Sequence, residues 1–471
     1  MEAKVGKSPI HNFMTKRHLD EDHYCRLSRA MLEKYGGTYD DAMARLERLH
    51  LHIRCGEEVA ESPSLQAAVL TAVNAGRRAF LGGVSIDMPS DISLCVPWPE
   101  CDSLAEVALK LGAQIRPFEK TAAHTQLLCI GTADQAEADA LRVWVSGWRG
   151  GVAPASAATV PCGRQDMTLA GIMAGALSVA HGFLQISGLT THFVESLVGF
   201  SLWRPDLDAN DDASEGPALE FLPHRLWFAG LGHLGQGYLW NLGFLPYEKL
   251  SAANFTLQDF DRVVPGNIGS GLLCEADSSG LLKTRLAARW LEARGFRTAL
   301  IERAFDDTLR RREDEPRVLL CGFDNAEVRA MLDTVPFDLV IDCGLGDSLE
   351  TFDRIFLHTF PDATKRPSEI WATQSENEKH DNERLIAAFD QGLPCGALAQ
   401  TLARKALATA FVGAFAGSLA LGEILRGLHG GVRCETANIQ LRSIYRKRVF
   451  IREEQYQVRA AKAGCLSASR Y

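Results

Sequence analysis

The chain has 471 residues, of which 46% are hydrophobic and 23% charged, and its formal net charge is −9. That length predicts two or three domains, the composition is that of a globular chain, and the negative balance argues against bulk attraction to nucleic acid. Its twelve cysteines form no C-x-x-C pair, which predicts reduced thiols in a cytoplasmic protein, with neither a disulfide framework nor a structural zinc.

Residues 1–20 are polar and rich in His and Lys, as expected of a loose terminus. Residues 24–35 read as an amphipathic helix carrying Arg26 and Arg29. Between 64 and 160 helical and strand patterns alternate. Residues 65–75 look helical, and 79–88, 92–96, 126–130 and 141–145 look like strands, which is α/β patterning. Leu81-Gly82-Gly83 lacks the GxGxxG spacing and no D-x-D follows it. A nucleotide fold here would have lost its nucleotide site. Met173-Ala174-Gly175-Ala176-Leu177 is similar to Phe415-Ala416-Gly417-Ser418-Leu419, 242 residues further on. Either an α/β unit is duplicated, or two buried Ala/Gly-rich helices look alike by chance. Residues 204–223 are acidic and turn-forming, and read as a linker.

The second half opens with the apolar run Leu226-Trp227-Phe228-Ala229, a buried strand. The turn Gly230-Leu231-Gly232-His233-Leu234-Gly235 follows, then a helix over 236–242. Such glycines let the backbone approach a phosphate, and the helix start supplies free N–H groups and a positive dipole end. A second strand, 255–258, ends in Asp259-Phe260-Asp261. Asn267 follows, and Lys283 lies on the next helix. A strand over 318–321 leads to Gly322-Phe323-Asp324-Asn325, with Arg329 beyond. Strands are expected again at 337–343 and 355–360. Residues 361–394 form a long polar loop ending just before Cys395. Residues 406–422 carry no charge; seventeen residues fall short of the ~20 a membrane span requires, so a buried helix is expected. Residues 434–460 are strand-like and basic. Gly230 and Asp259 are 29 residues apart, longer than the ≈ 20 usual in a dinucleotide site.

This series resembles the adenylation core of the ubiquitin-activating (E1-like, ThiF/MoeB/HesA) superfamily, over roughly residues 220–435. That family places an Asn eight residues after the first Asp and a Lys sixteen further on; Asp259, Asn267 and Lys283 meet both spacings. Ser270-Gly271 stands where the family has Arg-Gln on the γ-phosphate. The resemblance implies an α/β, Rossmann-like adenylation domain with a mixed, mainly parallel sheet over 224–445, containing a crossover loop at 361–394 and followed by an extension over 446–471. It also implies a degenerate half of the same type over 1–203, giving a pseudo-dimer within one chain or a homodimer. Gly230, Gly232 and Gly235 would bring N–H groups to the phosphates of ATP. Asp259 would take the ribose, and Asp261, Asn267, Lys283 and Asn325 would contact the nucleotide. Asp324 would hold Mg²⁺. Taken singly, Lys283 reads equally well as an exposed helix lysine and Asp324-Asn325 as a turn; it is their order and spacing that favour the site. Relatives take an arginine from the opposite half, and Arg26, in Tyr24-Cys25-Arg26, is either that group or a solvated helix arginine.

Cys395 is the candidate nucleophile: a thiolate beside a helix start has a lowered pKa, and a loop before it gives access. The alternative is a small buried residue. Cys343 ends a buried strand and is a weaker candidate, Cys321 reads as packing, and His233 reads as a surface turn residue. The function implied is adenylation of the C-terminal glycine of a ubiquitin-like protein, thioester formation, and transfer to an E2-like partner, in systems linked to phage defence. Two alternatives stand beside it: adenylation of a sulfur carrier or peptide without an E2, and a nucleotide-binding scaffold without catalysis. Neither nucleic acid nor membrane is expected as a partner.

Overall fold

A computed structural model describes residues 25–89, 92–118, 124–132, 137, 139–161, 166–362, 364–371, 407–453 and 465–467. Two helices, α1 (Arg26–Tyr35) and α2 (Tyr39–Leu46), precede the first sheet. That sheet is built from β1 (His50–Cys55), α3 (Pro63–Ala79), β2 (Gly83–Asp87), α4 (Leu104–Lys110), β3 (Gln114–Ile115), β4 (Thr125–Ile130), β5 (Leu141–Ser146), β6 (Arg149–Pro154), α5 (Thr168–Ile186) and β7 (Val198–Ser201). After the short β8 (Phe221–Pro223) come β9 (Arg225–Ala229), α6 (His233–Leu242), β10 (Asn254–Gln258), α7 (Lys283–Glu292), β11 (Arg297–Ile301) and β12 (Val318–Cys321). The series closes with α8 (Ala326–Ala330), β13 (Leu339–Leu345), β14 (Arg354–Phe360), α9 (Ala410–Leu428), β15 (Arg433–Gln440), β16 (Arg448–Arg452) and β17 (Cys465–Ser467).

The two sheets repeat one plan. The first runs β3-β2-β1-β4-β5-β6-β7 and the second β11-β10-β9-β12-β13-β14-β15-β16. In each, five parallel strands are followed by antiparallel ones. A parallel pair needs a crossover, and here helices supply it on the faces of the sheet. The short sequence likeness at 173–177 and 415–419 lies within this repeat. Helices α5 and α9 are both 19 residues long, start 242 residues apart, and are each followed by a positive-φ glycine, Gly188 and Gly430.

Helices α3 and α5 of the first half pack against each other and against α9 of the second, which also packs on its own α6; α5 lies against β4–β6 and α9 against β13–β15. Their glycines bring backbones into contact. A Cβ at Gly175 would lie 2.6 Å from the Ala68 carbonyl oxygen, and one at Gly417 2.3 Å from that of Gly237. One buried apolar cluster runs through both halves. Phe183 meets Phe411 at 6.0 Å across the seam, and Phe200 meets Phe415 at 5.9 Å. Each such ring contributes about 1.5–3 kcal/mol by leaving water. Both α5 and α9 are long and apolar enough to cross a bilayer, but 89% and 94% of their apolar windows are buried within the protein.

Several boundaries differ from the sequence reading. The helix over 65–75 extends to Pro63–Ala79, because Ser62 caps it and Pro63 suits a first helical position. The strand expected over 79–88 is therefore only Gly83–Asp87. Residues 92–96 form no strand, only an isolated bridge between Ser93 and Ser103. Residues 204–223 are anchored to the first half by Arg149–Glu215 and by the Trp148 indole N–H on the Pro217 carbonyl, at 2.8 and 2.7 Å. Arg448–Arg452, expected within an extension, is the eighth strand of the second sheet; Val449 and Ile451 alternate with the exposed Arg448 and Phe450.

Candidate active site

The C-terminal ends of β9, β10 and β12 converge on the glycine turn. Gly230 has φ +78°, and a Cβ there would come within 2.9 Å of the Gly322 backbone at the end of β12. A Cβ at Gly235 would lie 2.2 Å from the Gly230 carbonyl oxygen. Only glycine fits either position. At Gly232 the reason differs: the space is open, with the Lys283 ammonium 4.0 Å from where a Cβ would sit. Gly232 caps α6 with no side-chain hydrogen bond, so the first N–H groups of that helix are left for a ligand.

Asp259 is 8% exposed, and its carboxylate accepts the Leu231 N–H at 2.7 Å and the Asp261 N–H at 2.8 Å. It thus ties the end of β10 to the glycine turn. Burial raises its pKa, against the lowering effects of the Lys283 charge and those two N–H groups. Lys283 starts α7. Its N–H donates to the Asp261 carbonyl at 2.9 Å, and its ammonium pairs with the Asp261 carboxylate at 2.7 Å. The Asn267 Oδ1 accepts the Val264 N–H at 3.0 Å, leaving the amide nitrogen as its donor. Asp324 is exposed, two residues beyond Gly322. Asn325 caps α8, its side chain accepting the Glu327 N–H at 2.7 Å. Among the described residues no group of three or more His, Cys, Asp or Glu side chains is arranged to hold a metal ion. The exposed Asp324 carboxylate would offer an oxygen ligand to a Mg²⁺ held chiefly by nucleotide and water.

His233 is a correction to the sequence reading. It is a half-buried first residue of α6, not a surface turn residue, and its Nδ1 lies 2.9 Å from the Ser270 carbonyl oxygen. Nδ1 therefore carries the proton, and Nε2 is a buried acceptor without a partner. Burial, with a smaller contribution from the Arg26 charge, lowers its pKa to about 4 against the opposing effect of the Ser270 carbonyl. So α1 reaches the neighbourhood of the glycine turn within one chain. Cys395 lies outside the described residues, as does most of the loop expected at 361–394. Cys321 and Cys343 are fully buried; burial pushes the Cys343 thiol up to about 12 and Cys321 well above its ordinary value. Neither is a thiolate near neutrality. Arg329 stays on the domain's own Asp342, its Nε 3.1 Å from the carboxylate, and stacks at 4.5 Å on Trp371.

The equivalent helix start in the first half is built differently. Seven residues separate Cys55 from Pro63, against three between Ala229 and His233, and the surplus forms a turn at Glu57–Ala60. Pro63 removes one N–H from the first turn of α3. The Asp166 carboxylate occupies that helix start, accepting the Ser62 hydroxyl at 2.8 Å, the Ser64 N–H at 3.2 Å and the Ser64 hydroxyl. Glu58 takes the Thr132 N–H at 3.0 Å and its hydroxyl, beside Gly131 at the end of β4. The start of α3 is thus taken by a carboxylate of the chain itself. Counting from the paired helices α5 and α9, the residue matching Asp166 in the second half is Ala408.

Comparison with known proteins fits this two-part plan. Residues 50–202 match the model of the BilD N-terminal domain and residues 222–431 that of the BilD C-terminal domain. The chain belongs to the BilD family. A BilD from Collimonas sp. (strain OK412), named a bacterial E1-like protein, is 36% identical over 411 residues, covering 84% of this chain and 86% of that one. The E1-like resemblance carried by Asp259, Asn267 and Lys283 is thus a family relationship. Among solved structures, E. coli MccB with ATP is similar at a TM-score of 0.32 and 13% identity, over 49% of this chain and 64% of that one. E. coli TcdA, a tRNA N6-threonylcarbamoyladenosine dehydratase, is similar at a TM-score of 0.28 and 16% identity, over 43% and 84% of the respective chains.

Proposed function

We propose that this BilD-family chain adenylates the C-terminal glycine of a ubiquitin-like protein and then carries the acyl group on Cys395 for an E2-like partner. In the first step a carboxylate oxygen attacks the α-phosphorus of ATP, the bond to the bridging oxygen breaks, and pyrophosphate leaves. In the second the Cys395 thiolate, its proton lost to solvent, attacks the acyl carbon and AMP leaves. One observation carries this reading: the start of α6 is uncapped and faces the Lys283 ammonium, while the start of α3 is blocked by the chain's own Asp166. The N–H groups of 232–235 and the Lys283 charge are arranged for a triphosphate. Asp259 has lone pairs left for the ribose, and Asn267 an amide donor for a phosphate. Mg²⁺ would neutralise charge on the pyrophosphate, with Asp324 as its protein ligand. The effect of the Arg26 charge on His233 supports an arginine delivered from the chain's own first helix.

The test is exchange of labelled pyrophosphate into ATP, with and without a ubiquitin-like protein ending in glycine. Carrier-dependent exchange is expected from wild type and from Cys395→Ala, while only wild type forms a thiol-reducible adduct. No exchange with any carrier, alongside tight nucleotide binding, would leave a scaffold. A complete reaction by Cys395→Ala would overturn the thioester step.

A further inference from the structure

The segment 271–274, which follows Asn267, is held from the other half of the chain. Arg78, in the last turn of α3, is 2% exposed and reaches across the seam. Its Nε donates to the Gly271 carbonyl at 2.9 Å and its Nη2 to the Cys274 carbonyl at 2.8 Å. Nη1 donates back to the Asn74 carbonyl at 2.9 Å, and the Asn74 amide donates to the Leu272 carbonyl at 3.0 Å. Arg77 pairs with Glu275 next to it, one guanidinium N–H at 3.0 Å. Three carbonyls of one four-residue segment are thus turned toward the first half.

That segment continues from Asn267, whose carbonyl accepts the Ser270 and Gly271 N–H groups at 3.2 and 2.7 Å. On its other side it meets the first turns of α6. The Ser270 carbonyl accepts the His233 Nδ1–H, and Gln236 Oε1 accepts the Leu273 N–H at 2.9 Å. A Cβ at Gly271 would lie 2.5 Å from Gln236 Oε1, so the bulkier family residue would not fit there with Gln236 in place. Arg78 does not supply the missing phosphate-binding arginine. It is fully buried, and all three of its nitrogens are engaged by the protein.

We propose that Arg78 is a positioning residue for the nucleotide site, by which the half without a nucleotide site holds segment 267–274 against α6 and so sets Asn267 and His233. The inference rests on the adenylation reading above. Its consequence is that the first half acts on the second through hydrogen bonds to backbone carbonyls, and its contribution is felt in nucleotide affinity.

The experiment compares full-length wild type, Arg78→Lys, Arg78→Met and Asn74→Ala. It measures Mg·ATP affinity by calorimetry, KM and kcat in pyrophosphate exchange, and the ¹⁵N resonances of His233, which report its tautomer. Arg78→Met is expected to weaken ATP binding and raise KM for ATP at least tenfold, with a smaller change in kcat, and to shift His233 out of its Nδ1–H form. Arg78→Lys, which keeps a cation among the same carbonyls, should recover most of that loss. Asn74→Ala, the milder change, should move the same readouts in the same direction and serves if Arg78→Met does not fold. Folded variants with wild-type ATP affinity, KM and His233 resonances would overturn the proposal, even if less heat-stable. Wild-type protein that binds no ATP would overturn the adenylation reading instead.

Discussion

Replacing Lys283 by Met separates a functional lysine from a structural one. The ammonium is 2.7 Å from the Asp261 carboxylate, but that carboxylate side chain is 49% exposed. A pair of this kind is worth about 0–1 kcal/mol, and Met retains most of the apolar stem. The folded state should therefore lose no more than about 1 kcal/mol, a shift of roughly a degree or two in melting temperature for a chain this large. The ligand has more to lose. A charge-assisted bond to a phosphate oxygen is worth about 1.5–3 kcal/mol, equivalent to roughly 10–150-fold in affinity. Calorimetry with Mg·ATP and a thermal melt on the same preparation read both quantities. An unchanged ATP affinity would remove Lys283 from the site. A melting temperature lower by ten degrees would make it a structural residue.

Other changes follow from the same contacts. Ala408→Asp introduces into the second half the carboxylate that Asp166 provides in the first; it should abolish ATP binding, measured by calorimetry, with the circular dichroism spectrum unchanged. Asp259→Ala leaves the Leu231 and Asp261 N–H groups without their acceptor; it should cost about 1–3 kcal/mol in denaturant unfolding and weaken ATP binding, and Asp259→Asn should cost less. His52, His181 and His233 have pKa values lowered to about 4, each chiefly by burial. A histidine whose folded pKa is depressed contributes stability above its unfolded value near 6.5, and that stability is lost as pH falls toward 4. The midpoint in urea should therefore drop between pH 6.5 and 4, with His181 alone accounting for up to about 3 kcal/mol and His181→Phe flattening the profile.

Much of the second half was legible because its chemistry is local. The apolar runs at 226–229 and 318–321 gave the fold type, and the structure brings Asp259 and Lys283, two of the three residues singled out by spacing, to the glycine turn. Asp259 held more than its spacing revealed: its contact with the Leu231 N–H depends on strand pairing that no local pattern encodes. The first half was harder to read. Its strand Arg149–Pro154 contains two glycines and a terminal proline, residues depleted in strands, yet Gly151 is needed because a Cβ would lie 2.0 Å from the Val198 carbonyl oxygen. The contacts of Asp166 with Ser64 and of Glu58 with Thr132 were invisible because these residues are far apart in sequence. Arg78 gave no signal, being one of two adjacent arginines at a helix end and 193 residues from Gly271, the residue it bonds. His233 was misjudged because a turn position suggests exposure, whereas α9 covers it at Gly413.

The stoichiometry of nucleotide binding tests the central claim most directly. Titration of the full chain with a non-hydrolysable Mg·ATP analogue should show one site per chain, weakened roughly 10–150-fold in Lys283→Met and lost in Ala408→Asp, and no heat with NAD. Two sites per chain, retention of binding in both variants, or preferential binding of NAD would contradict an open triphosphate site in the second half paired with a closed one in the first.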